Sequence, residues 1–89
     1  MNKSEMLETI EWALFSEMVS GWEALLSGDT ETARCYKVSA AGQVKLAHQL
    51  LGSRYYHKIN KLEERVARKA AALTPTETRR IRQWITSDK

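Results

Sequence analysis

Two histidines and one cysteine are the side chains best suited to chemistry near neutral pH. Histidine is the side-chain type suited to gaining and losing a proton near neutrality; this chain has His48 and His57, and Cys35 is the sole thiol. Acid–base or nucleophilic work needs such a group held against a base, a carboxylate or a metal. His57 has Asn60 and Glu64 at helical spacing, a set that reads as the solvated outer face of a helix. Cys35 falls off the main apolar seam of its segment and reads as a small, semi-buried residue. The three potential metal ligands lie far apart in sequence, and there is no glycine-rich phosphate loop. The reading is therefore non-enzymatic, with no metal and no cofactor.

A second kind of chemistry is phosphate binding. Arg54, Lys58, Lys61, Arg65 and Arg68 recur at helical spacing with Lys69 adjoining, and Arg79, Arg80 and Arg82 follow near the end. Tyr56, next to Arg54 and Lys58, is free to stack on a base while the cations hold phosphates. Charge along the chain is segregated. Residues 1–31 hold one lysine against seven acids, and residues 32–89 hold thirteen Lys and Arg against four acids. An acidic head and a basic body can attract one another within a bundle or between chains, and the basic excess can meet phosphate.

These residues need elements to position them, and every element reads as helix. The first runs from about Glu5 to Leu26, with Asn2 or Ser4 as its cap. It has two apolar seams: Leu7, Ile10, Leu14, Met18 and Leu25, and beside them Trp12, Phe15, Val19, Trp22 and Leu26. A helix apolar over most of its circumference must be buried on more than one side. One seam is expected to face the next helices. The second is expected to face another copy or another protein, with its aromatics as anchors.

Gly28 suits the left-handed position that ends this helix, and Asp29 or Thr30 suits the cap of the next. That helix runs to about Leu51 with Ala33, Tyr36, Ala40, Val44, Ala47 and Leu51 inward. The stretch "GDTETARCYKVSAA", with Gly28, Asp29, Ala33, Tyr36 and Ala40, resembles the turn and second helix of one tetratricopeptide hairpin. The resemblance covers about one helix and no second copy follows. It implies an antiparallel hairpin and no repeat array.

Gly52-Ser53 is read as a break, although the apolar positions on either side stay roughly in phase, as one long helix would also require. A third helix then spans about Arg54 to Leu73, with Tyr55, Ile59, Leu62, Val66, Ala70 and Leu73 as its seam. The basic stripe precedes this seam by one residue each time and so flanks it by ~100°. Thr74, Pro75 and Glu77 start a short fourth helix. "LTPTE" also opens helices in helix-turn-helix domains, but too few residues follow for it to be the first helix of such a motif; as a second helix after the third it has no specific support from the turn, and core closing is preferred. Ile81, Trp84 and Ile85 share one face, so the fourth helix is expected to close a core.

The sequence reading is one all-α domain over residues 1–89: an antiparallel hairpin, a third long helix and a short C-terminal helix, assembled as a homodimer. No secretory leader or apolar run of membrane-spanning length is visible, and the lone cysteine suits a reducing compartment; a cytoplasmic protein without membrane contact is expected. The expected function is binding of another protein as an adaptor, inhibitor or accessory subunit. The alternative is a nucleic-acid-binding accessory protein that uses the basic residues named above.

Overall fold

A computed structural model describes residues 2–87. These form four α-helices and one short 3-10 turn. Helix α1 spans Lys3–Leu26, α2 Thr30–Leu51, α3 Tyr56–Ala71 and α4 Pro75–Ser87, with the turn at Ser53–Tyr55. The described residues are all-α and fill an envelope of 38 × 25 × 20 Å.

Local chemistry explains each helix end. Asn2 accepts a hydrogen bond from the Glu5 N–H at 2.8 Å, so α1 begins two residues before the expected Glu5. Gly28 ends the α1 turn at φ +85°, and Asp29 accepts from the Thr32 N–H at 3.1 Å to cap α2. Gly52, at φ +82°, breaks the chain between α2 and α3. The expected single helix from Arg54 to Leu73 is shorter at both ends, because the 3-10 turn precedes it and the chain leaves it at Ala72. Thr74 and Glu77 form the reciprocal cap of α4: the Glu77 N–H donates to Thr74 Oγ1 at 3.2 Å and the Thr74 N–H donates to Glu77 Oε2 at 2.9 Å.

Helix α1 is the axis of the molecule, and α2, α3 and α4 each pack on it. Helix α2 runs antiparallel to it as a hairpin. Helix α3 runs parallel to it: Lys3 lies over the Tyr55 ring, Arg65 reaches Glu11, and Trp22 reaches Leu73. The main core joins Leu14 of α1 to Ala40, Val44, Ala47 and Leu51 of α2 and Ile59, Leu62 and Val66 of α3. Gly21 sits at a close contact of α1 with α2; a Cβ there would lie 3.1 Å from Tyr36 Cβ.

Helix α4 covers the second seam of α1 over its C-terminal half, and two expectations change as a result. Val19, expected at an interface with a partner, is wholly buried within the chain. Trp22 is partly buried, and its indole N–H donates to the Leu73 carbonyl at 3.1 Å, tying α1 to the α3–α4 loop. Trp84 was expected inward, yet it is 55% exposed. The inward face of α4 is instead Thr78, Ile81 and Ile85, a spacing of three and four that leaves Trp84 at its edge.

Candidate binding surfaces

The two histidines have different surroundings. Asn60 pairs with His48 and not with His57: His48 Nε2 and Asn60 Oδ1 are 3.1 Å apart across the α2–α3 contact. Tyr56 lies against His48 with ring centroids 4.8 Å apart and meets the His57 ring edge-on. Tyr56 is half exposed but already stacked. Cys35 is exposed. Among the described residues no group of three His, Cys, Asp or Glu side chains could hold a metal ion. No described helix is long and apolar enough to cross a membrane.

The basic residues fall into two sets anchored on α1. In the α3 set, Arg54, Lys58, Lys61, Arg65 and Arg68 are all exposed. Arg65 pairs with Glu11 at 3.0 Å, and Lys58 lies over the Tyr55 ring. In the α4 set, Arg79, Arg80 and Arg82 are exposed, and Arg82 pairs with Glu23 at 3.1 Å. The acidic head thus engages one cation from each set. Glu11 and Glu23 are twelve residues apart, which is ~18 Å along α1 and ~120° around it. The two basic sets therefore hang on different flanks and do not merge into one stripe. Each exposed ion pair contributes little to stability, ~0–1 kcal/mol.

The aromatic residues expected at an interface are likewise divided. Phe15 is partly buried against the core, and Leu26 lies exposed at the end of α1. Trp12, 46% exposed, lies beyond the cover of α4 and forms a small notch with Glu8, Glu11, Phe15, Val66 and Lys69.

A concave surface between α2 and α3 was not foreseen from the sequence. Helices α2 and α3 touch near the Gly52 break and diverge away from it, which opens a groove of about 750 Å³. Its floor is α1, at Met18, Gly21, Trp22 and Leu25. Alanines line both walls: Ala33, Ala40 and Ala41 from α2, and Ala67, Ala70 and Ala71 from α3. Small side chains keep the groove wide, and its lining is predominantly apolar. Charge sits at the rims, Arg34 and Lys37 on one side and Glu63 and Glu64 on the other. Glu17 also lines the groove, and its Oε2 is buried with no hydrogen-bond partner. The available sequence signal was the alanines on the adjoining faces of α2 and α3; periodicity assigned Ala33, Ala40 and Ala70 to packing and gave Ala41, Ala67 and Ala71 no role.

No protein-family model, curated protein or solved structure matches this chain.

Proposed function

We propose that this protein is a non-enzymatic helical binding module that acts through protein–protein contacts, as an adaptor, inhibitor or accessory subunit, and that it works as a homodimer. The observation that carries the binding reading is the groove between α2 and α3. An apolar trough with a helix for its floor and a charged rim on each side suits an amphipathic helix from another protein. The rims specify the polarity of that helix: acids toward Arg34 and Lys37, cations toward Glu63 and Glu64. A partner lysine or arginine would also supply the missing donor to Glu17 Oε2.

Nucleic-acid binding is the second reading. Arg54 in the 3-10 turn and Lys61 and Arg68 on α3 are exposed with no ion pair among the described residues, which favours it. The separation of the α3 and α4 sets weighs against a single continuous phosphate track.

One experiment separates the two. Tagged wild type, Ala67→Arg and the triple variant Lys58→Gln, Lys61→Gln, Arg65→Gln are used for capture from nuclease-treated native lysate, and each is titrated with labelled duplex and single strand. Ala67 is an exposed wall residue, so the arginine fills the groove and leaves the core intact. A protein held by wild type and the triple variant but lost from Ala67→Arg supports the groove. Tight nucleic-acid binding that falls steeply with salt and disappears in the triple variant replaces it with the second reading.

A further inference from the structure

Helix α2 carries two apolar faces, and only one is covered within the chain. Ala40, Val44, Ala47 and Leu51 are buried inward. On the other side Val38, Leu46 and Leu50 are 66%, 54% and 61% exposed. Gly42 lies between them, and Cys35 is exposed one turn earlier. Positions 38, 42, 46 and 50 form one ridge of i+4 steps, whose centre is ~150° around the helix from the buried face.

Gly42 shows what this ridge is suited to. The other three glycines answer to the chain itself. Gly28 and Gly52 hold positive φ, and Gly21 has Tyr36 Cβ 3.1 Å from where its own Cβ would be. Gly42 lies in regular helix, and a Cβ added there would meet nothing within 4 Å. A mid-helix glycine weakens the helix relative to alanine, and nothing inside this chain requires one here. At the centre of an exposed apolar ridge, the missing side chain lets another helix backbone come close.

We infer that this other helix is α2 of a second copy of the chain, crossing antiparallel with Gly42 at the two-fold axis. The inference rests on the homodimer reading above and assigns its surface. The ridge is self-complementary about Gly42. Val38 is four residues before it and Leu46 four after, so each lies beside the other's counterpart across the axis. Charge at the two ends selects the antiparallel copy. Glu31 stands at the start of α2 on the side of the ridge and Arg54 just beyond the end of α2, so antiparallel chains bring each Glu31 toward the other copy's Arg54 and parallel chains bring Glu31 against Glu31. Arg34 and Lys45 flank the ridge on the same edge, but the crossing sets them beside Leu50 and Ser39 of the other copy and not beside each other. The three large apolar side chains expose on the order of 300 Å² per copy, a patch of the size that marks an interaction site. An interface this small makes a weak, reversible dimer.

The test is sedimentation of the full chain across a wide concentration range. Wild type should move from monomer toward twice the monomer mass. Leu46→Glu and Gly42→Leu should each weaken dimerisation by about tenfold or more. Both positions are open in the single chain, so far-UV circular dichroism and the melt at the lowest concentration should show a folded monomer in each case. Trp12→Glu should dimerise like wild type. In a Cys35→Ser background, Gly42→Cys should oxidise to a covalent dimer, and Lys61→Cys should not. A dimer that tolerates Leu46→Glu and Gly42→Leu but is lost in Trp12→Glu overturns the α2 surface and keeps the homodimer. A chain that stays monomeric at every concentration overturns both.

Discussion

Trp22 offers the most informative perturbation of this fold. Its indole fills the C-terminal half of α1, and its N–H donates at 3.1 Å to the Leu73 carbonyl in the loop that launches α4. Trp22→Phe retains an aromatic ring and removes the donor, so Leu73 loses its partner. A net hydrogen bond contributes ~0.5–1.5 kcal/mol, and the smaller ring forfeits some packing, which places the loss at ~1–2 kcal/mol. Trp22→Ala removes the ring as well. Large-to-small changes at buried aromatics cost ~3–5 kcal/mol, and partial burial sets Trp22 near the lower end, at ~3 kcal/mol. At ~2.1 cal/mol/K per residue, a chain of this length unfolds with an entropy of ~190 cal/mol/K, so ~1 kcal/mol moves the Tm by ~5 °C. Thermal and urea melts followed by far-UV circular dichroism should therefore show Tm losses of ~5–10 °C for Trp22→Phe and ~15 °C for Trp22→Ala. Trp22→Ala should also be non-additive with Ile85→Ala, since both residues hold α4 to α1. A Trp22→Phe protein that melts with wild type would refute the reasoning, because the bond to Leu73 would then contribute nothing.

Four further outcomes follow from other residues. Thr74→Ala should destabilise the chain by ~1 kcal/mol in a urea melt, the usual size of a lost N-cap. Trp84→Ala, at a position 55% exposed, should cost under ~1 kcal/mol in the same melt, in place of the ~3 kcal/mol of a buried indole. Gly21→Ala and Gly42→Ala should move the melting temperature in opposite directions at low protein concentration: the first forces α1 and α2 apart at Tyr36, and the second adds helix propensity in open space, ~0.5–1 kcal/mol. The Asp29 carboxyl is held below its ordinary 3.8 by Thr32, through its hydroxyl first and its backbone N–H second. Its contribution to α2 should therefore be fully present above that ordinary value and fade as pH falls through the lower folded one, a loss absent from the acid titration of Asp29→Asn.

Helix ends were legible because they are chemically local. Asn2, Gly28, Asp29, Gly52 and the Thr74–Glu77 pair act on backbone groups within a few residues, and no distant contact is needed to recognise them. The inward faces of α2 and α3 were legible for a related reason: Ala40, Val44, Ala47, Ile59, Leu62 and Val66 repeat with the helical period. Periodicity says which face is apolar and is silent about what covers it. The second seam of α1 therefore read as an interface, whereas Val19 is wholly buried within the chain and α4, more than fifty residues away, packs on α1. The groove was hidden for the opposite reason. It arises from the angle between α2 and α3, and no residue type encodes that angle. The outer ridge of α2 was visible in principle, at Val38, Gly42, Leu46 and Leu50, but only the packing of the other face reveals that it is left over.

The dependence of α4 on α1 has a consequence for how the molecule opens. Helix α4 makes its main contacts with α1, while Leu14, Val44, Ile59 and their neighbours form a core that does not include it. The last helix can therefore detach as a unit while the three-helix body persists. Amide protons of α4 should exchange with solvent through that partial opening, earlier than those of α2 and α3 that need global unfolding. The same event breaks the Arg82–Glu23 pair and exposes the face of α1 on which α4 packs. An apolar strip of α1, closed in the resting protein, is thus transiently exposed at the end of the molecule where the groove is widest.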